Sequence, residues 1–272
     1  MRVTLALIDG PDWVVRAHRN FIDAGAQVIT TNSYALVPFH IGEDRFKSEG
    51  LQLAALSGRL AREAAATQEG TTVAGSLPPL FGSYRPDLFD ADAAPAIIGP
   101  LIDGLRDHVD VWLGETLGSI AEVEAIRAAL DRNDWPTRPL WISYYLHHEH
   151  EGLLASGESV VDAVSAAIDL GATAVMFNCC QAETITAGLE IGRAALPDTV
   201  RVGGNANRFV AAHTSDTPSN AGIAPFRDDL APHEYRTFVC RWLDTGAKMV
   251  GGCCGMEPVH IAEIARLVER LA

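Results

Sequence analysis

The chain predicts an α/β fold, a TIM-like (β/α)8 barrel that lacks its first strand. Three observations predict it. Helical and strand patterns alternate from end to end across 272 residues, a length close to that of one barrel. The strand segments are short, rich in branched residues and only weakly alternating, as strands covered on both faces are. The count reaches eight helices and only seven strands, because the chain opens almost directly into a helix.

The helical patterns run over Pro11 to Ala24, Gly42 to Gln68, Ala93 to His108, Ser119 to Arg132, Ser159 to Leu170, Glu183 to Leu196, Pro232 to Thr245 and Glu257 to Leu271. Pro11 and Pro232 suit a first helical turn, where a missing N–H costs nothing. Ser159 with Asp162 makes an N-terminal capping pair, and Gly25, Gly171 and Gly246 stand where helices stop. Between them lie the strand segments Val28-Ile29, Thr72 to Ala74, Val109 to Leu113, Leu140 to Tyr144, Ala174 to Phe177, Val200 to Val202 and Lys248 to Val250. Strand and helix in alternation imply right-handed βαβ units and a parallel sheet, read here as a single domain over 1–272.

A weak internal repeat supports that reading. AGAQVITTN, LGATAVMFNC and TGAKMVGGCC share a helix-ending Gly, an Ala, an apolar strand and a polar end. Counting seven onward from Gly25, Gly171 and Gly246 reaches Asn32, Asn178 and Cys253, which are thereby equivalent strand ends. For the missing strand three readings stand: the start of the protein lies elsewhere, the barrel is open, or another segment fills the gap. The stretch from Asn205 to Leu230, rich in Pro, Asn and Asp, is the longest loop, and long loops in compact domains usually carry function.

A net charge of −14 argues against a nucleic-acid backbone or an anionic membrane as the main partner. No apolar run of about 18 residues and no secretory signal is present, which predicts a cytoplasmic protein. The five cysteines are odd in number, and four form the adjacent pairs Cys179-Cys180 and Cys253-Cys254. That is a poor disulfide framework and reads as metal or thiol chemistry in a reducing compartment.

Barrels place their chemistry at the C-terminal ends of strands. Those positions here are Thr31-Asn32, Ser76, Glu115-Thr116, Asn178-Cys179-Cys180, Asn205 and Cys253-Cys254. Three or four thiols from two strand ends can converge on one point, and Zn2+ suits thiolates and a fourfold shell. Gly251 and Gly252 clear space beside Cys253 and permit unusual backbone angles, so that two neighbouring cysteines can both turn inward. Three protein thiolates would leave one open position, the mark of a catalytic zinc. Such a zinc holds a substrate thiol as a thiolate at neutral pH, a nucleophile for a methyl group on a positively charged sulfur or nitrogen. Glu115 could hold an amino-acid ammonium group, or could be a carboxylate in a buried ion pair. Cys240 reads as packing inside a helix. The tract HHEHE, 147–151, is a rival metal site by composition and reads as a solvated polar loop.

The motifs AGAQVITTNSY, GSLPP, GET, LASGES, FNCC and GGCCGMEPVHI, in that order, resemble those of homocysteine S-methyltransferases, over essentially the whole chain. The resemblance implies a (β/α)8 barrel with Zn2+ on Cys179, Cys253 and Cys254, leaving Cys180 as an extra thiol. It implies that Glu115 binds the homocysteine amino group and that Thr31 also lies at the homocysteine site; Asn32 and Asn178, as strand-end residues, are read as substrate-binding with them. His260 matches a family histidine read as helix-start structure. The substrates implied are homocysteine and a sulfonium or ammonium methyl donor such as S-methylmethionine or betaine, giving methionine. One departure stands out. Family members begin with a strand ending in an Asp-Gly-Gly-like loop, whereas TLALIDGPDWVVRAHRNFIDAGA aligns with the segment after it, and Asp9-Gly10 is not that motif. Two alternatives follow: a zinc- or thiol-binding barrel that has lost catalysis with that strand, or a methyltransferase for another thiol or selenol acceptor. The two unpaired edges of an incomplete barrel favour association into a homo-oligomer.

Overall fold

The computed structural model describes residues 2–132, 137–210 and 225–271. Seven strands form one parallel sheet in chain order: β1 (Val28–Thr30), β2 (Thr72–Leu77), β3 (Val111–Leu117), β4 (Leu140–Tyr144), β5 (Ala172–Asn178), β6 (Arg201–Ala206) and β7 (Met249–Gly252). β4 coincides with its apolar run; the other six strands extend one to four residues beyond theirs, because the polar and glycine positions that follow the run continue the ladder. The sheet curls into a barrel wall that lacks one strand, with helices on its outside.

The period of two explains what the wall encloses. Ala74, Val111, Leu113, Trp141, Ala174 and Met176 form their own buried cluster, with Met249 packed against it. They alternate with Val73, Trp112, Ile142, Val175 and Phe177, which belong to the larger core between sheet and helices. Stepping two residues further along the inner face reaches Ser76, Glu115, Ser143, Asn178 and Asn205. The inner face is thus apolar below and polar at the C-terminal mouth, and the registers Asn178↔Asn205 and Asn205↔Gly251 keep these ends level.

Ten α-helices are described: α1 (Arg2–Asp9), α2 (Pro11–Asp23), α3 (Pro38–Ile41), α4 (Glu43–Ala65), α5 (Ala94–Leu105), α6 (Ile120–Asp131), α7 (Val160–Asp169), α8 (Ala182–Ala195), α9 (Pro232–Asp244) and α10 (Pro258–Glu269). The sequence reading of eight is corrected by two. The one-turn α3 is separated from α4 by Gly42 at φ 86, and α1 precedes α2, with Leu7 buried. The punctuation read from sequence falls as expected: Pro11 and Pro232 open α2 and α9, and Ser159 caps α7 by accepting from the Asp162 N–H at 3.1 Å.

β1 and β7 do not pair, so the wall has two edges. Asp9 ends a helix and Gly10 caps the next, so neither supplies a strand-end loop. The helices meet across the gap: Gly25 stands at φ 99 after α2, and a Cβ there would lie 2.6 Å from that of Ala265 in α10. Only glycine fits both that angle and that approach.

Candidate metal and substrate site

The two cysteine pairs are laced together by the end of β6. Cys179 N–H donates to Asn205 O (3.0 Å) and Asn207 N–H to Cys180 O (3.0 Å), while Cys253 N–H donates to Ala206 O (2.9 Å) and Arg208 N–H to Cys254 O (2.8 Å). The Asn207 side-chain amide adds a bond to Cys179 O at 2.6 Å. This backbone frame brings the Sγ atoms of Cys179, Cys253 and Cys254 within 4.8 Å of one another, with Cys179 and Cys254 3.6 Å apart. The pairs do not behave alike. Cys179 adopts the left-handed φ of 60 and turns its thiol to the cluster. Cys180 is buried facing the β4–α7 loop, where its sulfur accepts the Leu146 N–H at 3.2 Å. Cys253 and Cys254 both reach the cluster because β7 has already ended at Gly252 and the chain is turning.

The expectation for Gly251 and Gly252 is corrected in its reason. Neither adopts positive φ; they are small because a Cβ on Gly251 would stand 2.8 Å from Asn205 Oδ1 and one on Gly252 2.6 Å from Met256 Cβ. The left-handed glycine of the turn is Gly255, at φ 78.

Three soft donors converge here, which fits a thiophilic divalent cation. Left to protons, the thiols share one charge. Donation from Cys179 and Cys253 pulls Cys254 down to about 3, and the same contacts hold Cys253 well above the ordinary thiol range; at Cys179 the bond from Cys253 lowers, but its contact with Cys254 and burial leave it well above that range. Cys254 is exposed and Cys253 half-buried, so the cluster has an open side.

Glu115 and Thr116 lie in a bulge of β3, where its register with β4 shifts between Gly114 and Leu117. Bulges re-aim side chains. Thr116 stands at φ 62, costly for a β-branched residue. Asn178 clamps it there: its Oδ1 accepts the Thr116 N–H (3.1 Å) and the Ser143 hydroxyl (2.7 Å), and its Nδ2 donates to Thr116 Oγ1 (2.8 Å) and points at Cys253 Sγ (3.8 Å). Asn178 is buried, and its amide is spent on holding the mouth together. Glu115 is half-buried and accepts the Ser76 hydroxyl at 2.6 Å. Burial raises its pKa, the Ser76 bond opposes that rise, and the charge of Cys254 adds to it. Among the described residues no cation pairs with Glu115, whose polar neighbours are Ser76 and Cys254, so the ion-pair alternative has no partner there.

Thr31 is buried at the end of β1; its Oγ1 accepts the Ser76 N–H (3.0 Å) and meets Ser33 Oγ at 2.8 Å. Ser33 gives its proton to Ser76 O (2.9 Å), so Thr31 donates to Ser33. Asn32 is half-buried in the turn that follows. His260 is fully buried, forms a capping box with Glu257 at the start of α10 and reaches Leu230 O at 3.2 Å. Cys240 packs on the core from α9. The HHEHE tract is a turn after β4 with 148–151 exposed, its rings packed on His147, and it forms no set of three convergent ligands.

Three tyrosines were not singled out from sequence. Tyr84, at φ 65, places its hydroxyl 3.0 Å from Cys179 Sγ and its ring 4.6 Å from that of Tyr145. Tyr34 donates to Ser83 Oγ at 2.9 Å. Burial holds all three phenols above their ordinary range, and nearby thiols add to it: Cys179 and Cys253 at Tyr34 and Tyr84, Cys180 and then Cys179 at Tyr145. Tyr145 directly follows β4 and Tyr34 closes the TNSY turn after β1, whereas Tyr84 sits in the β2–α5 loop without a local signal. Of the longest loop, β6 takes Asn205 and Ala206, and 211–224 lie outside the described residues. Its two arms pair at Phe209↔Phe226.

The homocysteine S-methyltransferase of Escherichia coli is 28% identical over 278 residues, spanning 95% of this chain and 85% of that one. The methionine synthase of Mycobacterium tuberculosis is 26% identical over 96% of this chain, which spans only 22% of that protein. In structure, the metallated form of the E. coli homocysteine methyltransferase MmuM superposes with a TM-score of 0.78 at 24% identity, covering 97% of this chain and 88% of that one. The family model for homocysteine S-methyltransferase matches residues 2–268. The chain belongs to the homocysteine S-methyltransferase family.

Proposed function

We propose that this protein transfers a methyl group from a cationic donor, a sulfonium such as S-methylmethionine or a quaternary ammonium such as betaine, to the thiol of homocysteine, giving methionine. The observation that carries the reading is the three-thiol cluster, open on its Cys254 side and sensed by the carboxylate of Glu115. Zn2+ is the cation the donor set favours, on Cys179, Cys253 and Cys254; when bound it supplies a substrate sulfur held as thiolate at neutral pH. The sulfur–methyl bond forms as the donor's S–C or N–C bond breaks, and the donor leaves as a neutral thioether or tertiary amine.

The chain's own residues divide the remaining work. Glu115 takes the homocysteine ammonium, and Ser76 holds the carboxylate in position from its other side. Asn178 and Thr31 act by keeping the strand ends in register, with Asn32 at the rim of the same mouth. The half-buried Tyr34, Tyr84 and Tyr145 surround the thiols, and aromatic faces attract a cation that has shed its water. That favours a positively charged donor over a neutral one.

A second reading is favoured by the unpaired edges of β1 and β7: the chain binds metal and homocysteine without turnover. One experiment separates the two. Purified protein loaded with Zn2+ is given homocysteine with S-methylmethionine or betaine, and methionine is measured with and without a chelator. Chelator-sensitive methionine supports the enzyme; homocysteine binding with no methionine from either donor supports the second reading.

A further inference from the structure

We infer that Tyr84 is a positioning residue whose phenol donates a hydrogen bond to the Cys179 sulfur and thereby tunes the metal–thiolate centre. The inference rests on the reading that Cys179, Cys253 and Cys254 hold a metal. Three observations converge on it. Tyr84 Oη lies 3.0 Å from Cys179 Sγ, inside the distance for a sulfur acceptor. The residue keeps a left-handed φ of 65, a conformation that a tyrosine holds only when its surroundings enforce it. Its ring packs against Tyr145 at 4.6 Å, which fixes the direction of the hydroxyl.

The direction of the bond follows from the chemistry. In the metal-free cluster Cys179 has a proton to give, and it gives it to Cys254. As a metal ligand it is a thiolate with nothing to donate, while a phenol with an ordinary pKa near ~10 keeps its proton. Tyr84 is then the donor, and the bond becomes charge-assisted. A proton donor on a ligand sulfur draws electron density away from the metal and leaves it a stronger Lewis acid toward the incoming substrate thiol. Residues outside the metal's own ligands commonly carry about 10–100-fold in metal affinity.

The test is Tyr84→Phe, which keeps the ring on Tyr145 and removes only the hydroxyl, read in the Co2+-substituted protein. The probe is the sulfur-to-Co2+ charge-transfer absorption together with Co2+ affinity by chelator competition. Loss of the donor raises the energy of the Cys179 lone pairs, so the band moves to longer wavelength and affinity falls about tenfold. Tyr145→Phe is the control, with band position unchanged. A purely structural role for Tyr84 would weaken affinity but leave the band of the loaded fraction where it was, and that result overturns the inference. If the unaltered protein gives no such band with Co2+, the metal reading itself fails and the inference falls with it.

Discussion

Replacing Asn178 by Ala tests how the mouth of the barrel is held. The variant loses the acceptor of the Thr116 N–H and of the Ser143 hydroxyl, and the donor to Thr116 Oγ1. The Thr116 N–H is fixed by the backbone and cannot turn elsewhere, so leaving it unpaired costs about 1–3 kcal/mol. The two hydroxyls can rotate toward other partners and cost about 1 kcal/mol each. Against this, Thr116 is released from its left-handed conformation, recovering about 1–3 kcal/mol. The net expectation is a loss of about 2 kcal/mol, or a Tm lower by roughly 4–8 °C for a chain of this size. Because Thr116 anchors Glu115, homocysteine affinity by calorimetry falls by about tenfold or more. Ser143→Ala removes one bond and leaves the Thr116 clamp intact; it costs about 1 kcal/mol and leaves homocysteine affinity alone. If Asn178→Ala unfolds with the unaltered protein and binds homocysteine as tightly, the clamp is not what holds this site.

Three further expectations follow from the same geometry. Cys180→Ser keeps bound zinc and methyl transfer, because that sulfur faces Leu146, whereas Cys253→Ser loses both; zinc per chain and methionine formation read the contrast, and equal behaviour of the two variants would refute the ligand assignment. Glu115→Gln still accepts from Ser76 but cannot neutralise an ammonium, so homocysteine Kd rises about 10–100-fold with zinc content unchanged; an unaltered Kd removes Glu115 from the substrate site. His18 in α2 has its Nε2 buried without a partner among the described residues, and burial lowers its pKa from 6.5 to about 4. Folding therefore favours neutral His18: its contribution is complete above pH 6.5 and is lost as pH falls toward 4, at most about 3 kcal/mol. His18→Phe flattens denaturant-derived stability across that window, and a slope as steep as the parent's would contradict the assignment.

Much of the fold was legible in the chain because its signals are local. Pro11, Pro232 and the Ser159–Asp162 pair mark helix starts, and Gly25, Gly171 and Gly246 mark stops; each acts through its own backbone angle or a bond three residues away. The count of seven strands likewise needed only branched runs between them. The strand ends were less visible, since Gly203-Gly204 and Gly251-Gly252 continue the ladder although glycine is a poor strand former, and their reason is the space taken by Met249, Ile185, Asn205 and Met256. The site divided the same way. Two adjacent cysteine pairs at strand ends, the second of them flanked by glycine, announced the thiol cluster, but which of Cys179 and Cys180 turns toward it depends on the left-handed φ of Cys179, set by pairing with β6. Tyr84 reaches Cys179 from 95 positions away, and no pattern near either residue encodes that contact. Asn178 carried the opposite surprise: a polar residue at a strand end, beside a metal ligand, whose amide faces the protein.

The central claim is that three cysteines hold a zinc ion with one position left for substrate sulfur. X-ray absorption at the zinc edge tests it most directly, on the Zn2+-loaded protein before and after homocysteine. The account predicts three sulfur neighbours at ~2.3 Å that become four when homocysteine is added. Fewer than three sulfurs at the outset, or an unchanged shell with homocysteine bound, would contradict it.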